Sequence, residues 1–276
     1  RPKGLECMIS IVGLGTGGSR ISQCFEGYPE YNVYNLDWLS EYELPEQYEN
    51  NIPDLKEHFA NLDDHVQFFV VGSSFSSNYA LGILEQIKDK KIELFYVKPD
   101  TELLAGVPRL IERATFGVLQ EYARSGLLSS ITLIDNLKVE QILHNVPIKT
   151  YYETLNKMIV SSIHYVNYFE HNEPIIGVRA RPPEVARIRT FGALDMSTLE
   201  EKWFFNLDID RDVCYYLCIN NERLENDGSL HKKYVELLKQ KPRNAFRNIS
   251  YAIYETESQQ DFGFCVSLTN AVQKNS

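Results

Sequence analysis

The chain has 276 residues, 43% of them hydrophobic, and a net charge of −10 with an isoelectric point near 5.2. That length suits one large or two modest globular domains, and the acidic balance excludes an extended nucleic-acid surface while leaving room for a local basic patch. The five cysteines include no Cys-x-x-Cys pair and the six histidines are scattered, so buried thiols in a reducing compartment are expected, with no disulfide scaffold and no metal site.

No run is long and apolar enough to span a membrane, and the first residues show no signal-peptide pattern; a cytoplasmic protein is expected. The apolar run Met8 to Val12 predicts a buried strand. It breaks into Gly13-Leu14-Gly15-Thr16-Gly17-Gly18, after which Ile21, Cys24 and Phe25 fall at helical spacing. Such glycines let a ligand approach the backbone, and the helix start offers free N–H groups to a phosphate. A second strand, Asn32 to Tyr34, ends in Asn35 and Asp37, where a nucleotide-binding α/β fold places a polar reader of ribose or phosphate. The same residues also suit a plain tight turn and a plain strand end.

Trp38 to Asn51 is acidic, Tyr-rich and aperiodic, and reads as a loop; Pro53 to Phe59 reads as a short helix with an early proline. Val66 to Val71 predicts a buried strand that ends in Gly72-Ser73-Ser74-Phe75-Ser76-Ser77-Asn78, with Ala80 to Ile87 at helical spacing beyond it. The serines there can hold a phosphate or simply cap the helix. Strands Ile92 to Val97 and Ser130 to Ile134, with a helix Pro108 to Tyr122 between them, continue the alternation, and a parallel, helix-covered sheet follows.

A long helix without Gly or Pro runs from Thr150 to Glu170, and a basic run (Arg179, Arg181, Arg187, Arg189) comes after it. Beyond that the chain changes character. Lys202 to Ile209, Val213 to Ile219, Ile249 to Glu255 and Phe262 to Thr269 read as strands, interrupted by a helix at about Leu230 to Gln240. The domains expected are 1–148 (nucleotide-binding-like α/β), 149–172 (central helix) and 173–276 (a catalytic-loop region and a second α+β domain). No Gly-x-Ser-x-Gly elbow and no P-loop Gly-Lys-Ser/Thr occurs.

The order of these stations resembles the tubulin/FtsZ superfamily, at low identity but over most of the chain. Gly13 to Ser19 resembles its first glycine-rich nucleotide loop, and Asn35-Leu36-Asp37 its Asn-Thr-Asp loop. Val70 to Asn78 stands where the family has its Gly-Gly-Gly-Thr-Gly-Thr-Gly signature. Lys98-Pro99, then Arg109, then Leu128 to Asn136 resemble later stations, and Asn156 stands where the family often faces guanine with Asn or Asp.

The resemblance implies a Rossmann-like α/β domain, a long central helix and a second α+β domain, with GTP or GDP, and magnesium with it, as the cofactor. The implied nucleotide contacts are Gly13, Gly15, Thr16, Gly17, Gly18, Asn35, Asp37, Gly72, Ser73, Ser74, Ser76, Ser77, Asn78, Arg109, Asn136 and Asn156. The chain departs from the family where the signature loop has lost most glycines and both threonines. It departs again where the acidic catalytic loop reads Arg179-Ala180-Arg181-Pro182-Pro183-Glu184, with Glu184 its remaining acid.

A guanidinium cannot act as a general base near neutral pH, so the expected enzyme is a weak GTPase or none. Arg179 and Arg181 become candidates for an assembly interface, facing an acidic surface or a phosphate on the next molecule. A phage- or plasmid-type protein is expected, working by head-to-tail self-assembly or by binding another protein. The competing readings are a structural protein with an empty pocket, and a Rossmann-type enzyme using NAD(P) or an adenylate, for which Gly13, Gly15, Gly18 and Asp37 also suit.

Overall fold

Mostly apolar runs, with single polar residues inside them, mark most strands of the first half of the chain. In the computed structural model, which describes residues 8–180, 186–208, 212–242 and 248–274, they form a parallel sheet buried on both faces. Two units divide the chain inside a long helix, between Val160 and Ser161.

The first unit runs β1 (Ile9–Leu14), α1 (Gly15–Gln23), β2 (Tyr31–Leu36), α2 (Pro45–Asn50), β3 (His65–Val71), a 3₁₀ turn (Phe75–Tyr79), α3 (Ala80–Gln86), β4 (Lys91–Lys98), α4 (Gly106–Ser125), β5 (Ser130–Asp135), α5 (Asn136–Leu143) and the start of α6 (Tyr151–His171). Its strands lie in the order β2-β1-β3-β4-β5, all parallel. Every residue of β1 is buried. The order reverses between β1 and β3, and in open α/β sheets the crevice beyond the strands' C-terminal ends at such a reversal is where ligands bind.

Two backbone constraints shape that end of the sheet. A Cβ on Gly18 of α1 would stand 2.8 Å from the Phe69 carbonyl oxygen of β3, and one on Gly13 would stand 2.5 Å from the Gly18 carbonyl oxygen. Helix α1 therefore rests directly on the sheet backbone. Past β3, Ser73 holds φ at +62°, a left-handed conformation that costs an L-residue roughly 1–2 kcal/mol.

The segment 38–51 is not wholly loop, and 53–59 is not a helix. Helix α2 forms because Pro45 opens it, Gln47 Oε1 accepts the Leu44 N–H at 2.9 Å, and the Tyr48 ring packs edge-on against Tyr42 and Tyr79. Around Leu55 the backbone bonds go elsewhere: the Leu55 N–H donates to Gln86 Oε1, Gln86 Nε2 donates to the Pro53 carbonyl, and Asp54 turns the chain by accepting from Lys56 N–H. Helix α5 was not foreseen, although Asp135 caps it by accepting the Leu137 N–H at 2.9 Å.

The second unit takes the rest of α6 and then β6 (Ile176–Gly177), β7 (Ile188–Leu194), β8 (Glu201–Trp203), β9 (Asp212–Asn220), α7 (Asn221–Asn226), α8 (Leu230–Lys239), β10 (Asn248–Thr256) and β11 (Phe262–Thr269). The strand expected at 202–209 is shorter: 204–208 leave the ladder, and Ile209 lies outside the described residues. Strand β7 occupies part of what the sequence presented as a basic run. Strands β9 and β10 are parallel, which requires the crossover that α7 and α8 supply. Alternate residues of β9 face opposite ways: Val213, Tyr215, Leu217 and Ile219 pack with Leu230, Tyr234 and Leu238 of α8. On the other side the Tyr216 ring stacks on Phe169 of α6 at 5.3 Å.

Gly18→Ala is expected to lower stability by about 1–3 kcal/mol, because the added methyl meets backbone that cannot yield. Ser73→Gly is expected to raise it by ~1 kcal/mol by relieving the left-handed conformation. Urea denaturation of both variants against the wild type measures the two effects.

Candidate functional site

A cavity of ≈ 480 Å³ opens at the C-terminal ends of the first unit's strands, within the range of about 300–1,000 Å³ usual for small-molecule sites. Gly17 of α1 forms part of its wall. Val71 to Ser74 contribute after β3, and Pro99, Asp100 and Leu103 after β4. Asn136, Leu137 and Glu140 contribute from α5, and Tyr151, Tyr152 and Asn156 from the start of α6. All lie in the first unit.

One polar atom of this wall is buried and unsatisfied among the described residues. It is Asn136 Oδ1, which has no hydrogen-bond partner; Asn156, only 8% exposed, makes no side-chain hydrogen bond among the described residues. A buried acceptor without a partner is costly, so a ligand that donates a hydrogen bond to Asn136 Oδ1 would remove that penalty. Arg20 of α1 is the cation among the residues that line this wall, and Asp100 and Glu140 are its carboxylates. Both carboxylates have internal partners: Asp100 accepts the Glu102 N–H, and Glu140 accepts from the Tyr151 hydroxyl at 2.8 Å. Burial, then the bond to Glu140, pushes the Tyr151 hydroxyl up to about 12, so it stays a donor at physiological pH.

Below the wall, buried Lys98 lies beside Asp135 in the β4–β5 register. Burial raises the Asp135 carboxyl above the usual carboxylate range, against the pull of the Leu137 N–H and the Lys98 charge. A Cβ on Gly72 would stand 2.3 Å from the Tyr96 hydroxyl oxygen. That hydroxyl donates to the buried Glu112 at 2.9 Å, so the loop after β3 sits on a fixed buried pair.

Of the residues the sequence singled out, Gly17, Gly72, Ser73, Ser74, Asn136 and Asn156 come together in the cavity wall. The others lie elsewhere. Gly13 and Gly18 are the contact between α1 and the sheet. Gly15, at φ +69°, gives its Cβ space to the Ser76 side chain, and Thr16 is exposed on α1. Asn35 lies inside β2 and accepts from Ser22 Oγ at 2.5 Å, while Asp37 is exposed.

Ser76 and Ser77 are buried, with Ser76 Oγ 2.8 Å from Ser74 Oγ and Ser77 Oγ donating to the Ser74 carbonyl. Asn78 donates to the Phe75 carbonyl. These serve the 3₁₀ turn and not the cavity. Arg109 is exposed on α4 and does not line the wall. The wall residues the sequence left unmarked include Arg20, Asp100, Leu103, Glu140, Tyr151 and Tyr152. The available signals were the position of Arg20 one helical turn past Gly17 and the aromatic pair at the start of the long helix.

In the second unit, Arg179 is held within its own chain: Nη1 donates to the Glu170 carbonyl at 2.8 Å and Nη2 pairs with Glu173 at 2.5 Å. Arg189 pairs with Glu170 at 2.8 Å. Arg181 and Glu184 lie outside the described residues. Among the described residues there is no cluster of ligands that could hold a metal ion and no helix long and apolar enough to cross a membrane.

No protein-family model matches the chain, and no curated protein matches it. Solved structures do match. The chain is similar to TubZ of Bacillus thuringiensis serovar israelensis in GDP-form protofilaments, with a TM-score of 0.70 at 12% identity over 96% of this chain and 85% of that one. It is similar to CetZ2 from Haloferax volcanii in a GTPγS-bound protofilament, with a TM-score of 0.63 at 9% identity over 96% and 95%. An empty FtsZ dimer from M. jannaschii matches with a TM-score of 0.60 at 11% identity over 96% and 88%. At identities this low the likeness speaks for architecture, and on that ground the chain has the fold of the tubulin/FtsZ superfamily.

Proposed function

We propose that this chain binds a guanine nucleotide in the cavity of its first unit, has weak or no GTP hydrolysis, and acts by head-to-tail assembly with itself or with a partner protein. The observation that carries the reading is the buried Oδ1 of Asn136, without a hydrogen-bond partner, in a cavity whose wall also holds Asn156 and the start of α1. In this reading the N–H groups around Gly17 and the Gly72–Ser74 turn face the phosphates. The two amides face the base, and the Tyr152 ring, 60% exposed, offers a stacking surface. The nucleotide would bring its own charge and magnesium.

Weak hydrolysis is inferred from the Arg179–Glu184 stretch, whose arginines cannot deprotonate a water near neutral pH. Assembly is inferred by analogy with the protofilaments of TubZ and CetZ2. The setting inferred is the cytoplasm of a bacterium carrying a phage or plasmid. One observation favours the reading of a structural protein with an empty pocket: the carboxylates of Asp100 and Glu140 share the wall with a single cation, which opposes a polyphosphate.

Calorimetric titration with GTP and GDP in magnesium is expected to show binding, and Asn136→Ala or Asn156→Ala each to weaken it about 3–10-fold. Phosphate release should stay near background. A folded protein, free of co-purified nucleotide, that binds neither ligand would overturn this reading in favour of the empty pocket. Sedimentation with rising protein concentration tests assembly: pelleting that depends on GTP supports a nucleotide-gated polymer, and the absence of pelleting with or without nucleotide rules out self-assembly.

A further inference from the structure

We propose that the first unit pairs with a second copy of this chain about a two-fold axis, the acidic segment 37–49 of each copy seated on helix α4 of the other. The inference does not depend on the nucleotide reading above. Helix α4 buries Glu112, Phe116, Leu119, Gln120 and Ala123 on one side. At about 3.6 residues per turn the opposite side carries Val107, Leu110, Ala114 and Val118, and that side is exposed, Val107 by 65% and Leu110 by 64%. A surface helix ordinarily gives its outward side to polar residues; this one is apolar where it meets solvent. Gly117 adjoins the stripe, and no other part of the described chain lies within 4 Å of where its Cβ would stand. A glycine inside a helix is destabilising, and nothing around it in its own chain requires one. A second molecule packed closely on this side would.

Arg109 and Arg113 border the stripe, both exposed and neither in an ion pair among the described residues. The surface that fits them is on the same chain. Segment 37–49 exposes Asp37, Glu41, Glu43, Glu46 and Glu49, none of them in an ion pair among the described residues. Between these carboxylates stand Trp38 and Leu44, each 55% exposed. One surface is apolar and basic, the other apolar and acidic. Complementary potentials of this kind select a partner and fix its orientation.

The strand order β2-β1-β3-β4-β5 carries the chain in one direction from β2 to β5, and right-handed crossovers put α2, α3 and α4 on one face of the sheet in that order. Helix α1 connects β1 to β2 in the opposite direction and covers the other face. The acidic segment packs on the turn before α3, where the Tyr79 hydroxyl donates to the Ser40 carbonyl at 2.7 Å. This segment and α4 therefore flank α3 on opposite sides. A two-fold axis over α3 brings each acidic segment onto the other copy's α4, so both contacts form twice in one closed pair. At the axis stands Leu81 of α3, 38% exposed, and the nearby charges of Glu85 and Lys88 are already paired with each other.

The test is analytical ultracentrifugation of the full chain without nucleotide, at low and at high salt. The wild type is expected to form a dimer and no larger species, and salt to weaken it. Leu110→Ser should weaken the dimer about tenfold with unchanged circular dichroism, because the residue is exposed. Arg109→Glu with Arg113→Glu, and separately Glu43→Arg with Glu46→Arg, should each weaken it about tenfold or more. Mixing these two double variants, or combining all four substitutions in one chain, should restore the dimer, since each acidic surface again meets a basic one. A wild type that stays monomeric at about 100 μM overturns the proposal. Charge reversals that leave association unchanged, or that fold but fail to rescue each other, assign it to another surface and overturn the proposal as well. Masses that rise beyond the dimer show an open assembly and overturn the two-fold pairing.

Discussion

The first unit depends on how closely α1 can approach the strands beneath it. With no Cβ at Gly13 or Gly18, the helix rests on the carbonyl of Phe69 and on β1 itself. A helix held at ordinary side-chain distance would point its N-terminus past the sheet. Held this closely, it places its free N–H groups at the end of β1, beside the turn that leaves β3. The reversal of strand order between β1 and β3 opens the crevice, and the short helix–sheet distance decides what faces it. Part of the glycine run thus works below the cavity, while Gly17 forms its wall.

The loop after β3 shows how a polar sequence can hold a turn that glycines would otherwise make. Ser74, Ser76 and Ser77 bond among themselves and to the local backbone, and Ser76 fills the space left by the missing side chain of Gly15. The geometry is kept by hydroxyl bonds, at the cost of one left-handed residue, Ser73. Because those hydroxyls are spent on the turn, few remain for a ligand. The cavity wall is lined instead by the amide side chains of Asn136 and Asn156 and by Arg20.

In the second unit two of the arginines that stand out in the sequence, Arg179 and Arg189, have partners within the chain. Arg179 and Arg189 converge on the Glu170–Glu173 end of α6, and Arg189 sits within β7. A guanidinium bonded to both a carboxylate and a carbonyl fixes the chain that leaves the helix. The Tyr254 hydroxyl does the same from β10, 2.5 Å from the Phe169 carbonyl oxygen. These contacts close the C-terminal end of α6, whose last carbonyls would otherwise lack partners.

Much of the architecture could be read from residue order. Predominantly apolar runs at Ile9, Val66, Ile92 and Ile131, each carrying one polar residue, are best satisfied by a sheet covered on both faces, and the turn-forming residues between them leave room for crossovers. The long helix and the strands near Cys214, Ile253 and Phe264 were equally legible, because burial on one or both faces imposes a period on the sequence. What the sequence could not carry was the destination of individual polar groups. Whether Asn35 meets a ribose or Ser22, whether Ser76 meets a phosphate or Gly15, and whether Arg179 meets another molecule or Glu173 depends on distances between segments far apart in the chain. The same is true of Arg20, an ordinary surface arginine by sequence, which became a cavity residue only when α1 and α6 were brought together. Periodicity follows from local burial and is written in the sequence; hydrogen-bond partnership is decided in the tertiary structure, because a donor a few ångströms out of reach is no partner at all.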